Sequence, residues 1–125
     1  MTALTALSPI DGRYGSKVSG LRPFFSEFAL IRYRVFVEAQ WLQALAACTD
    51  LADVPPFSAS ARDFLGRITD GFSVADAKAV KAIEGTTNHD VKAVEYFLKQ
   101  KVSGHEELSA ASEFIHFGCT SEDIN

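Results

Sequence analysis

One long helical stripe constrains the fold of this chain more than any other feature. Between residue 24 and about residue 48, apolar side chains recur at spacings of three, four and seven residues, the period of one face of an α-helix. Pro23 suits the first turn of such a helix, and Pro55 and Pro56 break the chain after it. The stripe consists of Phe24, Phe28, Ile31, Val35, Leu42 and Leu45, and the apolar face is widened by Phe36 and Trp41.

Two shorter helices are predicted after this break. Ser58 or Ser60 could cap a helix that stops near Gly71, because a serine hydroxyl accepts a bond from a free amide at a helix start. Ser73 and Asp76 have the spacing of a capping box, in which each side chain bonds the other residue's amide. They would open the next helix, which is predicted to end near residue 85.

The helical pattern continues in the last third of the chain. A helix is predicted from Asp90, whose carboxylate would cap it, to residue 104. Residues 108–117 form another short helical pattern, and Thr120 or Ser121 would cap the next segment of the chain. No strand-like alternation of useful length appears. The predicted fold class is therefore all-α, a single domain with an irregular segment over residues 1–20 and about five helices over residues 21–125.

Composition and charge exclude several classes of function. The 125 residues are 47% hydrophobic and 22% charged, as in a globular domain, with a net charge of −4. General nucleic-acid binding needs a basic face, which this balance argues against. There is no secretory signal pattern, and two cysteines make no disulfide framework, so a cytoplasmic setting is expected. The apolar region cannot span a membrane because it is interrupted by Glu27, Arg32, Arg34, Glu38 and Gln40.

Residues 84–92 carry more polar chemistry than a turn between helices requires. They read EGTTNHDVK, and residues 86–92 alone supply two hydroxyls, an amide, an imidazole, a carboxylate and an ammonium. His89 can donate or accept a proton near neutral pH, and its neighbours can fix its tautomer. Helix capping by Thr87, Asn88 or Asp90 would explain one or two of these residues, but it leaves His89 unexplained. A segment that faces a ligand is therefore favoured.

Arg13 and Tyr14 form a second candidate, on a loop flanked by Gly12 and Gly15. A guanidinium donates a fork of hydrogen bonds to phosphate or carboxylate, and tyrosine adds one donor. The glycines would let the backbone approach such an anion. On spacing alone, however, a solvated surface turn is the favoured interpretation.

The end of the sequence supplies a third candidate. Thr120 and Ser121 would place two hydroxyls beside the free amides of a helix start, which suits a carboxylate or phosphate. Taken alone, they are better explained as an ordinary cap. His116 and Cys119 supply only half of a zinc site, so a metal is not predicted. Cys119 is interpreted as a small buried residue.

Together, these segments resemble the bacterial type of the adenylosuccinate lyase family, within the fumarase/aspartase superfamily. The resemblance covers essentially the whole chain, and its middle motif is the most specific. The threonine–serine element is shared more widely in the superfamily. The motifs that carry the resemblance read SPIDGRY at residues 8–14, TTNHDVKAVEY at residues 86–96, and EFIHF and TSEDIN within residues 113–125.

This resemblance implies a carbon–nitrogen lyase of purine nucleotide biosynthesis. Such an enzyme eliminates fumarate from adenylosuccinate to give AMP, and from succinyl-aminoimidazole-carboxamide ribotide. His89 could also assist as a proton donor, but a binding and orienting role is preferred. The resemblance implies no metal or organic cofactor. By position, seven residues would bind substrate: Arg13 and Tyr14 at the phosphate, Asn88, His89 and Asp90 along the site, and Thr120 and Ser121 at a succinyl carboxylate.

The resemblance also implies that the chain is the amino-terminal portion of a longer enzyme. The principal acid, the serine base and the central helical bundle are expected beyond residue 125, so the chain alone is expected to be inactive. The family works as a homotetramer whose active sites draw loops from several subunits. Two alternatives remain. Another lyase of the superfamily, such as argininosuccinate lyase or a cycloisomerase, would not need the phosphate loop. A non-catalytic helical module could bind a nucleotide without turning it over.

Overall fold

The computed structural model describes residues 2–125, which form helices and turns but no β-strand, so the all-α fold class is confirmed. None of the helices in this range is long and apolar enough to cross a bilayer. Short 3-10 helices occur at Ser19–Leu21 and Ser112–Phe114. The α-helices are α1 (Arg22–Phe25), α2 (Glu27–Ala47), α3 (Ala59–Asp70), α4 (Val74–Thr87), α5 (Asp90–Val102), α6 (Glu106–Ala110) and α7 (Ser121–Ile124).

The chain divides into two compact units, one up to Leu30 and one from Ile31 to Asn125. The first unit begins with turns. In these turns, the amide and hydroxyl of Ser8 donate to Asp11 Oδ1 at 2.7 and 3.0 Å. A Cβ atom at Gly12 would lie 2.4 Å from the Ala3 carbonyl oxygen, so this close approach requires glycine. Residues 3 and 12 therefore pack as parts of one local structure.

The predicted helix over residues 24–48 is interrupted at Ser26, which corrects its starting point. Ser26 is extended, at φ −77° and ψ 163°, and its hydroxyl donates to the Arg22 carbonyl at 2.6 Å. The same oxygen accepts from the Ala29 amide at 3.2 Å. A serine side chain can compete for backbone partners in this way, so Ser26 ends α1 and caps α2. Phe24 therefore lies in α1, outside the long helix, and is exposed.

The buried face of α2 differs in part from the predicted stripe. Ile31, Val35, Leu42 and Leu45 are buried as predicted, but Phe36 and Trp41 are exposed. At about 100° per residue, Phe36 points roughly 140° away from the centre of the stripe. Two charged residues, Arg34 and Glu38, are buried instead, and the helix face that packs inward is therefore partly polar.

The second unit is built around α4 and α5. Residues from both helices are buried, among them Val80 from α4 and Phe97 and Leu98 from α5. Phe97 meets Phe72, just before α4, edge-on, with the ring centroids 5.8 Å apart and an interplanar angle of 83°. This core supports the α5 start, where the middle polar motif lies.

The caps of α3 and α4 agree with the sequence predictions. Of the two serines considered for α3, Ser58 is the cap, because its hydroxyl accepts from the Ala61 amide at 3.2 Å. Ser73 and Asp76 form the predicted capping box of α4, with bonds of 2.9 Å and 3.3 Å between amides and side chains. That helix extends to Thr87, two residues beyond the predicted end.

Asp76 gives a testable pH dependence to this unit. Its Oδ1 lies 2.6 Å from Lys101 Nζ, which links α4 to α5. Partial burial pushes the carboxyl pKa up, but the bonds from Lys101 and Ser73 outweigh it and lower the pKa from 3.8 to about 2. A folded-state pKa below the unfolded value means that the carboxylate stabilises the fold above about pH 4. That contribution is lost as the pH falls towards 2.

We expect Asp76→Asn to make the free energy of unfolding less dependent on pH between pH 4 and pH 2. The free energy of unfolding at pH 7 should fall by about 1 kcal/mol, since one partly exposed ion pair is lost while asparagine still caps. Urea unfolding followed by circular dichroism across pH 2.5–7 measures both effects. Lys101→Met should reduce the same acid dependence. A slope equal to that of the unaltered chain would contradict the assignment.

Candidate functional site

His89 caps α5, which corrects the prediction that Asp90 does so. Its Nδ1 accepts a hydrogen bond from the Lys92 amide at 3.1 Å, the contact a capping carboxylate would make. Thr87 Oγ1 holds the backbone of His89 on both sides, accepting from its amide at 3.3 Å and donating to its carbonyl at 3.1 Å. Because Nδ1 is the acceptor, Nε2 carries the proton of the neutral ring and is the donor.

Asn88 shapes the turn that precedes this cap. Its backbone is left-handed, at φ 51°, and its amide donates to the Glu84 carbonyl at 2.8 Å. Asparagine is among the few residues that adopt this conformation readily. The turn ends α4, and Asn88 is exposed beside His89.

The structure brings the middle motif and the threonine–serine motif together. His89 Nε2 lies 3.5 Å from Ser121 Oγ, although 32 residues separate the two in sequence. Thr120 stands at the start of α7, where its amide and hydroxyl donate to Asp123 Oδ2 at 2.7 and 2.9 Å. About half of the His89 side chain is exposed, at 51%. An imidazole N–H and a serine hydroxyl therefore lie side by side in a solvent-accessible position.

Asp90 forms an ion pair with a buried arginine. Arg34 Nη1 lies 2.8 Å from Asp90 Oδ2, and Arg34 Nη2 donates to the side-chain oxygen of Asn125. Partial burial pushes the Asp90 pKa up, but the Val91 amide and the Arg34 guanidinium outweigh it and lower the pKa below its ordinary value. Asp90 is therefore a carboxylate at neutral pH and an acceptor for any ligand.

A second buried ionisable residue, Glu38, contacts the turn that leads to Thr120. Glu38 is fully buried, at 0% exposure, and its Oε1 is paired with His116 Nδ1. Burial raises the Glu38 pKa, and His116 only partly offsets that rise. His116 has a left-handed backbone, at φ 66°, which is uncommon for a residue with a side chain.

The half zinc site noted in the sequence has a different explanation. His116 is occupied by Glu38, and within residues 2–125 no three His, Cys, Asp or Glu residues are grouped in a way that could hold a metal. Cys119 is half-buried, and burial, together with the charges of Glu38 and Asp123, raises the pKa of its thiol. A raised pKa disfavours the thiolate that a nucleophile needs.

Sequence reasoning did not assign a role to Arg34 or Glu38. The available signal was their position, because two opposite charges four residues apart interrupt a stretch that is otherwise largely apolar. Buried charges are seldom kept unless they are paired. Arg34 pairs with Asp90 and also bonds Asn125, 91 residues away, while the partner of Glu38, His116, lies 78 residues away, so the pairing itself could not be predicted from the pattern.

Arg13 and Tyr14 belong to the first unit and form a local candidate there. Both are at least partly exposed, and the Arg13 guanidinium carbon lies 5.5 Å from the centre of the Tyr14 ring, within cation–π range. They line a hollow of about 390 Å³ together with Ser8 and Pro9. A guanidinium and a phenol at such a hollow can receive an anion.

Residues 12–125 match a family model described as lyase. The chain belongs to this lyase family. It is 62% identical over all 125 residues to adenylosuccinate lyase of Vibrio cholerae, and 60% identical to the enzymes of Haemophilus influenzae and Escherichia coli. In each case, the whole chain is aligned but spans only 27% of the relative's length. All seven predicted binding residues of this lyase chain lie inside the family match.

Proposed function

We propose that this lyase chain is the amino-terminal part of an adenylosuccinate lyase. The enzyme would eliminate fumarate from adenylosuccinate to give AMP, and from succinyl-aminoimidazole-carboxamide ribotide. The observation that carries this proposal is the identity of 60–62% across the entire chain to enzymes of that name. In this proposal, residues 1–125 form one amino-terminal domain of a cytoplasmic homotetramer that needs no cofactor.

The proximity of His89 and Ser121 supports a carboxylate subsite. During elimination, a base removes a proton next to a carboxylate, and negative charge spreads onto that carboxylate. Donors already in place stabilise this transition state more than the ground state. The His89 Nε2–H and the Ser121 hydroxyl lie 3.5 Å apart and would share one succinyl carboxylate, with Thr120 beside them.

The remaining residues would hold the rest of the substrate. Arg13 and Tyr14 would bind the nucleotide phosphate through the guanidinium fork and the phenol. Asn88 and Asp90 would line the site as amide and carboxylate partners of polar substrate groups. His89 acts here as a binding and orienting group, because its Nδ1 is already occupied by the Lys92 amide. The principal acid and base are assigned to the part of the enzyme outside this chain.

Fumarate release tests the proposal directly. Absorbance would be followed with adenylosuccinate and this chain alone, and then with the remaining part of an adenylosuccinate lyase added in trans. We expect activity only in the mixture, because a missing acid–base pair typically removes about 10²–10⁴-fold for each group. Activity of the chain alone would place the acid and base inside residues 1–125. Absence of activity in the mixture, from folded protein, would favour a non-catalytic nucleotide-binding module.

A further inference from the structure

We propose that one face of α2, formed by Arg34, Glu38 and Trp41, positions the carboxylate subsite by fixing His89 relative to Ser121. These three residues are called the positioning face below. The inference rests on the proposed function, because it concerns the same subsite. It assigns these residues no contact with substrate; they act through the segments that carry the binding groups.

The positioning face results from the helix period. Residues 34, 38 and 41 are spaced at i, i+4 and i+7, so their side chains lie on one side of α2. Each bonds a segment of the subsite or the turn before it. Arg34 bonds Asp90 and Asn125, and Glu38 is paired with His116. The Trp41 Nε1–H donates to the Phe117 carbonyl at 2.8 Å.

Arg34 links the two halves of the subsite through a single side chain. One guanidinium nitrogen reaches Asp90, at the start of α5 next to His89. The other reaches Asn125, immediately after α7, which begins at Ser121. Arg34 is only 7% exposed, so the guanidinium end of this bridge is shielded from water, whereas the Asp90 side chain is 49% exposed. A planar fork fixes both partners at once, which a lysine ammonium does not do.

Glu38 and Trp41 hold the turn that leads into Thr120. This turn contains two residues with positive φ, His116 at 66° and Gly118 at 73°. A left-handed backbone at a residue with a side chain persists only where the surroundings enforce it. The pairing of His116 with Glu38 supplies that constraint on one side, and the bond from Trp41 to the next carbonyl supplies it on the other.

The geometry of the subsite makes such support consequential. His89 and Ser121 are 3.5 Å apart, at the outer limit of a hydrogen bond, so they are placed to share a ligand oxygen rather than to bond each other tightly. A misplacement of about 1 Å in such a site can cost about 10²-fold in rate. Loss of the Arg34 bridge should therefore weaken binding of the substrate carboxylate more than binding of the substrate phosphate.

Product inhibition of the complete enzyme distinguishes an effect on carboxylate binding from an effect on phosphate binding. The variants are Arg34→Met and Arg34→Lys, and the probes are fumarate, which carries only carboxylates, and AMP, which carries the phosphate. For Arg34→Met, we expect the fumarate inhibition constant to rise about tenfold, which corresponds to about 1.4 kcal/mol of lost binding, while the AMP constant stays within about twofold. Arg34→Lys should restore only part of the fumarate affinity, because it keeps the charge without the fork.

Two further variants make the result decisive. Lys101→Met is the control, because Lys101 also lies on α5 but its ion pair is with Asp76 on α4. Loss of this pair should lower stability and leave the ratio of the two inhibition constants unchanged. Trp41→Phe removes the N–H donor and reduces the size of the ring while keeping an aromatic side chain, and it tests the same face if Arg34→Met does not fold. Equal changes in both constants, or none, would overturn the inference. A wild-type enzyme that releases no fumarate from adenylosuccinate would instead overturn the proposed function.

Discussion

Replacing His116 by alanine is expected to lower the free energy of unfolding by about 1–3 kcal/mol at neutral pH, the typical cost of leaving a buried hydrogen-bonding group without its partner. Glu38 is completely buried and its Oε1 is paired with His116. Among residues 2–125, nothing bonds its other carboxylate oxygen. Urea unfolding of the chain, together with hydrogen exchange of residues 112–125 in the complete enzyme, measures the effect.

The pH dependence of the same variant has a definite sign. Burial raises the Glu38 pKa, and the negative charge of Glu95 adds to the rise, against the opposing effect of His116. A carboxyl whose folded-state pKa lies above its unfolded value stabilises the fold at low pH, and this contribution is lost as the pH rises through the folded-state pKa. His116→Ala removes the opposing group. Its stability should therefore increase as the pH is lowered from 8 towards 5.

A matched double variant tests whether the buried charge is the cause. Glu38→Gln combined with His116→Ala replaces the carboxylate by a neutral amide of similar size. We expect it to recover much of the lost stability at pH 8 and to lack the increase on acidification. If the double variant is as unstable as His116→Ala at every pH, the strain of the turn, and not the unpaired charge, determines the cost.

Replacing Arg13 by lysine is expected to raise the KM of the complete enzyme for adenylosuccinate about tenfold, with a much smaller change in kcat. Lysine keeps the charge but cannot make the two-pronged contact with phosphate that the proposed role of Arg13 requires. Arg13→Ala should raise KM about 10–100-fold, since a hydrogen bond to a charged group contributes about 1.5–3 kcal/mol. An effect on KM that exceeds the effect on kcat identifies binding shared by ground state and transition state.

Tyr14→Phe provides the control for this loop. It removes the phenolic donor but keeps the ring, whose centre lies 5.5 Å from the Arg13 guanidinium carbon. Its effect on KM should be smaller than that of either arginine variant. Steady-state kinetics with adenylosuccinate measure all three variants. An unchanged KM for Arg13→Ala would remove the phosphate assignment and favour a solvated surface turn.

Features that depend on neighbouring residues were predictable from the sequence. The caps of α3 and α4 are local, because each involves residues three positions apart; the sequence predicted the Ser73–Asp76 capping box and limited the α3 cap to Ser58 or Ser60. The all-α fold class was predictable from the helical period and from the absence of strand-like alternation. The buried members of the α2 stripe, such as Val35 and Leu42, were identified for the same reason.

Features that depend on distant partners were not predictable. The sequence favours Asp90 as a cap, but Asp90 is bonded by Arg34 and His89 takes the capping position. Phe36 was placed on the apolar face because it is large and apolar, whereas Glu38, two residues on, is the buried residue. The Glu38 carboxyl group is buried there with His116 as its hydrogen-bond partner, and a single-sequence pattern does not contain that information.

The candidate site shows the same division. The individual motifs were identified from their chemistry and from the family resemblance, but their separation in space was not. The structure places His89 within 3.5 Å of Ser121 in one unit. Arg13 and Tyr14 lie in the other unit, and their part in a shared site stays a prediction.

The close packing of Gly12 against Ala3 has a practical consequence for labelling this protein. The Ala3 carbonyl oxygen lies 2.4 Å from the position that a Cβ of residue 12 would take, so Ala3 packs directly against the residue next to Arg13. A fluorophore or carrier attached close to Ala3 is therefore expected to disturb the packing beside the loop that carries Arg13. Cys48 is exposed immediately after α2, and a thiol-reactive dye attached there would leave that contact intact.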